Sequence, residues 1–168
     1  MEKINKQISA LGIYQIVGGI MGIALSLYFT SKSGVFNFPI LILTLFVLSL
    51  YSFSVFCGFL LLKKSYLKGL NLSIINQVLQ IITCSVLGFT FQYTSGIFLY
   101  FGLNLTEDTL FTYNIGLTTF NFKWNSDSNI TTFSINIVAI ILMNFAFKLR
   151  EKIAKEEENK LSEIGQPS

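Results

Sequence analysis

Two long runs of this chain carry no charge. They extend from Ile8 to Phe29 and from Phe38 to Leu62. At about 1.5 Å per residue the first covers about 33 Å as a helix, enough for a bilayer core of about 30 Å. The basic start, Lys3 and Lys6, also suits a signal peptide, but the apolar run is too long for one. Thr30-Ser31-Lys32-Ser33 offers no small-x-small cleavage site, so a retained helix is expected. Composition agrees with a membrane setting: 52% of the residues are hydrophobic and 12% are charged, against about 25% charged in soluble domains. The net charge of +3 is too small, and too scattered, to indicate nucleic acid. There is no histidine, which removes the commonest general base and transition-metal ligand together. The many Ile, Phe and Asn residues, with Arg150 the only arginine, are the usage of an AT-rich bacterial genome.

Hydropathy predicts four spans in all: 8–29, 38–62, 70–88 and 130–147, with a cytoplasmic helical tail over 148–164. Asn37 stands where it can cap the second helix, with Pro39 in its first turn. Four crossings would put Lys3, Lys6, Lys63, Lys64, Lys68 and the basic residues from Lys148 to Lys160 on one side. By the positive-inside rule both termini are then cytoplasmic and the protein is a multi-pass protein of the bacterial inner membrane. Gly18, Gly22 and Ser26 form a small-residue stripe suited to close helix packing or to a dimer face.

The segment 89–126 alternates apolar and polar residues, as strands do. Phe91, Tyr93, Tyr113, Phe120, Phe122 and Trp124 are expected to line one aromatic face of a small extracytoplasmic sheet. That face could dock a lipid or a partner protein, or merely cap the bundle. Thr106-Glu107-Asp108-Thr109 reads as a turn, and its two acids are too few for a calcium site.

Catalytic motifs are missing. No acid or base lies inside a predicted span, and no phosphate loop, zinc spacing or nucleophile–base pair occurs, so neither an enzyme nor a cofactor or metal site is expected. Cys57 and Cys84 would lie about 15 Å apart in depth, too far for a disulfide. What remains is an uncharged polar cluster, Gln15, Asn76, Gln77, Gln80 and Asn144, read either as interhelical glue or as a pocket for a ligand.

Leu11-Gly12-Ile13-Tyr14-Gln15-Ile16-Val17-Gly18-Gly19, the Ser73-Ile74-Ile75-Asn76-Gln77 run and Phe120-Asn121-Phe122 resemble stretches of small four-helix membrane proteins of the Bacteroidota. The resemblance implies a fold and no activity. The expectation is therefore a single membrane domain. It is an antiparallel bundle of four transmembrane helices with a β-rich extracytoplasmic segment between the third and fourth. Its function would be that of an accessory or scaffold subunit, partnered by the lipid bilayer and by a membrane protein or its own copies. The alternative is a carrier or pore for a neutral or lipid-like solute.

Overall fold

The structure, a computed structural model, describes residues 2–33, 37–105, 111–123 and 131–164. Trp124 and the acidic turn with Glu107 and Asp108 lie outside the described residues. Helix α1 spans Glu2–Ser33 and α2 spans Phe38–Leu62. Asn37 caps α2 by accepting from the Ile40 N–H at 3.0 Å. The two helices run antiparallel, since Gly12 meets Gly58 while Thr30 meets Thr44. They touch backbone to backbone where a Cβ on Gly12 would lie 3.0 Å from the Gly58 carbonyl oxygen. Both are long and apolar enough to cross a membrane.

The other two helices are not. Helix α3 (Tyr66–Ile81) has 16 residues, about 24 Å of helix at most. Helix α4 (Ile137–Ile164) is apolar only as far as Phe147, about 17 Å, before Lys148. The expected bundle of four transmembrane helices is thus incorrect: four helices are accompanied by a four-stranded antiparallel sheet, and two of the four are candidate spans. The predicted span 70–88 holds the end of α3, strand β1 (Ile82–Val86) and a turn. The predicted span 130–147 holds strand β4 (Thr132–Asn136) before α4 begins. Short apolar runs suit buried helix and strand alike. β-branched residues decide here, in Ile81-Ile82-Thr83 and in Thr131-Thr132 with Ile135.

Strands β2 (Phe89–Asn104) and β3 (Phe111–Lys123) form a long hairpin. Leu87 and Gly88 join β1 to β2 with positive φ at both residues, 52° and 80°, the signature of a type I′ turn. Strand β1 pairs with the start of β2 and with β4, and β4 pairs with the end of β2, every pairing antiparallel. A ring of three antiparallel pairings cannot be built from straight strands, because direction would have to reverse an odd number of times. Strand β2 must therefore turn back on itself between Phe91 and Tyr100. The bulge that does so falls between Thr94 and Ile97, where Gly96 has φ +104°. The Thr94 and Tyr100 hydroxyls hydrogen-bond across the bend, whereas six residues of straight strand would separate them by about 20 Å.

The extra residue in the bulge also shifts the phase of alternation. Before it, Tyr93 is buried; beyond it, Phe98 and Tyr100 are buried while Ile97, Phe101 and Leu103 are exposed. Around β4 and the end of β2, apolar side chains therefore point outward and Ser134 and Tyr100 point inward.

Two cores hold the layers together. Ile8, Leu11, Leu61, Leu70, Ile74, Ala146, Leu149 and Ile153 join all four helices at the end bearing Lys3 and Lys63. Val47, Tyr51 and Tyr93 join α2 to β2, with Phe91 and Phe120 packed on them.

Candidate functional site

The bulge that bends β2 removes backbone groups from the ladder, and buried N–H groups need partners. Side chains supply them. Ser95 N–H donates to Gln80 Oε1 at 2.9 Å, and Gly96 N–H donates to Thr118 Oγ1 at 2.9 Å. Gln80 is two turns from Ser73 on α3, with Asn76 and Gln77 between them on the buried face. This is why the amides recur at helical spacing.

Ser54 on α2 is the hub. Its hydroxyl accepts from Asn76 Nδ2 at 3.1 Å and from Ser95 Oγ at 2.9 Å, and donates to the Gln15 carbonyl oxygen at 3.1 Å. A serine hydroxyl has one proton and two lone pairs, so its capacity is full. α1, α2, α3 and β2 thus meet at one oxygen. Around it, Ser73 Oγ donates to the Gly69 carbonyl at 2.7 Å and lies 3.2 Å from Gln15 Oε1, and Tyr93 OH donates to the Leu50 carbonyl at 2.9 Å with Asn76 Oδ1 3.3 Å away. Gln15, Ser54, Ser73, Asn76, Gln77, Gln80 and Ser95 are all buried. The Nε2 groups of Gln15 and Gln77 are buried without a protein partner.

On the α1 side the bend rests against Gly18. A Cβ there would sit 2.7 Å from Gly96 N, and a Cβ on Gly96 would sit 2.5 Å from the Tyr14 ring. Tyr14 OH donates to the Ile97 carbonyl at 3.1 Å. Gly18 therefore receives a strand. Within the predicted stripe, Gly22 instead faces Tyr51 of α2.

Of the five predicted cluster members, Gln15, Asn76 and Gln80 are joined through Ser54, Ser73 and the α3 backbone, and Gln77 is buried on the same helix. Asn144 does not join them; it is exposed on α4. The cluster binds helices to a strand as well as to one another. Ser54, Ser95 and Thr118 were missed because their role depends on the bulge, whose sequence signal was Ser95-Gly96 interrupting the alternation.

The predicted aromatic face divides. Tyr93 is fully buried, with 0% of its surface exposed. Phe91 and Phe120 are half-buried and stack edge to face, as do Phe89 and Phe122. Tyr113 alone of the described members is open, at 78%. The outward apolar row is instead Phe111, Tyr113, Ile115 and Leu117 on β3, beside Ile97, Phe101 and Leu103 on β2.

Two cavities flank the network. One, of about 360 Å³, lies between α1, α2 and β3. The other, of about 310 Å³, is lined by uncharged polar groups, including Thr83, Gln92, Tyr100, Asn114 and Ser134. Among the described residues no group of three or more His, Cys, Asp or Glu could hold a metal ion. Cys57 and Cys84 are free thiols. Comparison of the chain with protein-family models, with curated proteins and with solved structures gives no match.

Proposed function

We propose that this chain is a multi-pass protein of the bacterial inner membrane that acts as a non-enzymatic scaffold. Its sheet offers the free edge of β3 to a partner strand, in the first instance that of a second copy. The observation that carries this is β3 itself. Among the described residues it pairs with β2 alone, and Phe111, Tyr113, Ile115 and Leu117 are 78%, 78%, 68% and 59% exposed. No charge or proline interrupts Phe111 to Phe122, whereas soluble proteins blunt such edges with Lys or Pro.

Depth supports the same reading. α1 and α2 cross as an antiparallel pair, and Lys3, Lys6, Lys63, Lys64 and Lys68 share one end, the cytoplasmic one by charge. The helical core with Leu149 and Ile153 keeps the basic part of α4 at that end, which supports the reading that both termini are cytoplasmic. The bend of β2 meets α1 at Gly18, near the middle of the uncharged run. The half of the sheet beyond the bend then occupies the outer half of the bilayer, its outward apolar row facing lipid and Tyr100 and Ser134 turned inward. Outer-membrane barrels distribute polarity in the same sense. The ring of β1, β4 and β2 satisfies most of the backbone. The free edge of β3 is the exception, and a row of open N–H and C=O groups is untenable in hydrocarbon. Antiparallel pairing with its own copy satisfies that edge with a two-fold interface.

The test is native mass measurement in lipid nanodiscs. A dimer is expected, converted to monomer by Ile115→Lys with unchanged helix and strand content; a wild-type monomer contradicts the proposal. A carrier for neutral solutes is favoured only by the polar cavity of about 310 Å³ with the unpartnered Thr83 hydroxyl. Glycerol uptake into proteoliposomes that is lost in Asn114→Leu would favour it.

A further inference from the structure

The cavity of about 360 Å³ between α1, α2 and β3 has no role in the scaffold described above. Its wall is mostly Leu25, Phe29, Ile40, Leu43, Val47 and Phe120, and no charged residue lines it. Its hydroxyls are largely turned away from guests. Ser26 donates to the Gly22 carbonyl, Thr44 donates to the Ile40 carbonyl and bonds Thr30, and Thr118 is held between Gly96 N–H and the Gly18 carbonyl.

Three contents can be compared. Water in such a space needs two to four polar partners; the Ser26, Thr30, Thr44 and Thr118 hydroxyls already hold partners, which leaves those of Tyr51 and Thr119 in a wall that is mainly apolar. An empty apolar cavity destabilises in proportion to its volume, and this one is as large as a small ligand site. An alkyl chain needs no polar partner and gains dispersion contacts along the apolar walls of this partly open cavity. The walls on two sides are the two helices long and apolar enough to cross a membrane, so alkyl chains are the neighbours at hand.

We infer that this cavity holds one acyl chain of a bilayer lipid, wedged between α1, α2 and the Thr118–Phe120 stretch of β3. The inference rests on the membrane reading proposed above. The bound chain acts as a packing element that fixes the hairpin of β2 and β3 against the helix pair.

The experiment reconstitutes the full chain into phosphatidylcholine vesicles that carry a photoactivatable diazirine on one acyl chain. After irradiation and digestion, adducts are mapped by mass spectrometry. The outward residues Val17, Leu41 and Leu45 are exposed and report the membrane reading alone. Adducts on Leu43, Val47 and Phe120 report the cavity. The expected result is labelling of both sets, with loss of the inward set alone in Val47→Phe or, should that variant fail to fold, in Leu43→Phe. Labelling of the outward set without the inward one overturns the acyl-chain site and leaves the membrane reading standing. Labelling of neither overturns both.

Discussion

Ser95 donates its hydroxyl to Ser54 across 2.9 Å, joining the bend of a strand to the middle of a helix. The two residues are far apart in the chain and neither stands out in it. Their contact is where a bent β2 and a polar helix face become one structure. Removing the Ser54 hydroxyl leaves the Asn76 and Ser95 donors and the Gln15 carbonyl without this partner. A stranded buried group costs about 1–3 kcal/mol. Ser54→Ala is expected to lower the thermal unfolding midpoint in mild detergent by the equivalent of on the order of 3 kcal/mol. Ser49→Ala, at an exposed hydroxyl of the same helix, is expected to change it little.

The bend needs glycine at Gly96 for two separate reasons, φ +104° and the Tyr14 ring 2.5 Å from any Cβ. Gly96→Ala is expected to destabilise by about 2 kcal/mol or more. Adding Tyr14→Ala removes the clash and leaves the backbone strain. A double-mutant cycle by thermal unfolding is therefore expected to show partial recovery; strictly additive losses would separate the two residues.

Leu87 occupies the first central position of the β1–β2 turn with φ 52° and 82% of its surface exposed. A leucine there is strained, whereas asparagine tolerates the left-handed region and Asn-Gly is the favoured pair for this turn. Leu87→Asn is expected to stabilise the protein by on the order of 1 kcal/mol, read as a higher unfolding midpoint.

Asn136 ends β4 and starts α4. Its Oδ1 faces the Val138 and Ala139 N–H groups at 3.2 and 3.4 Å and accepts from Leu99 N–H at 3.3 Å. Asn136→Ala is expected to cost about 1–2 kcal/mol through the lost cap. Asn144→Ala, on the exposed face of α4, is expected to be close to neutral. The pair of melting curves separates a structural amide from a surface one.

The helices at the start of the chain were legible because uncharged runs of that length have few alternatives. Asn37 and Pro39 marked the start of α2, and the helix occupies Phe38–Leu62. The later chain misled at its junctions. A hydropathy window cannot see that Ile81 ends a helix and Ile82 begins a strand, since both are apolar. Asn136, where β4 ends and α4 begins, lies inside the predicted span 130–147, and an average over apolar neighbours passes over it. The amides of α3 were visible by spacing, but their partner was not, because no local pattern says that Ser95 will be left without a ladder bond. The aromatic face was misassigned for a related reason. Ser95-Gly96 interrupts the alternation in the sequence, but the sequence alone does not say that the interruption is a bulge that exchanges the inner and outer faces of β2.

The most direct test of the scaffold reading is a cysteine scan of β3 in lipid bilayers. With Cys57 and Cys84 replaced by alanine, single cysteines are placed at each position from Phe111 to Leu117 and oxidised. Antiparallel self-pairing sets one position, or one adjoining pair, opposite its own copy within disulfide reach. Moving two residues along separates the copies by about 13 Å. The predicted result is a disulfide-linked dimer that peaks at one place and falls away symmetrically. No dimer at any position, or equal cross-linking along β3 and at an Ile135→Cys control on β4, would contradict it.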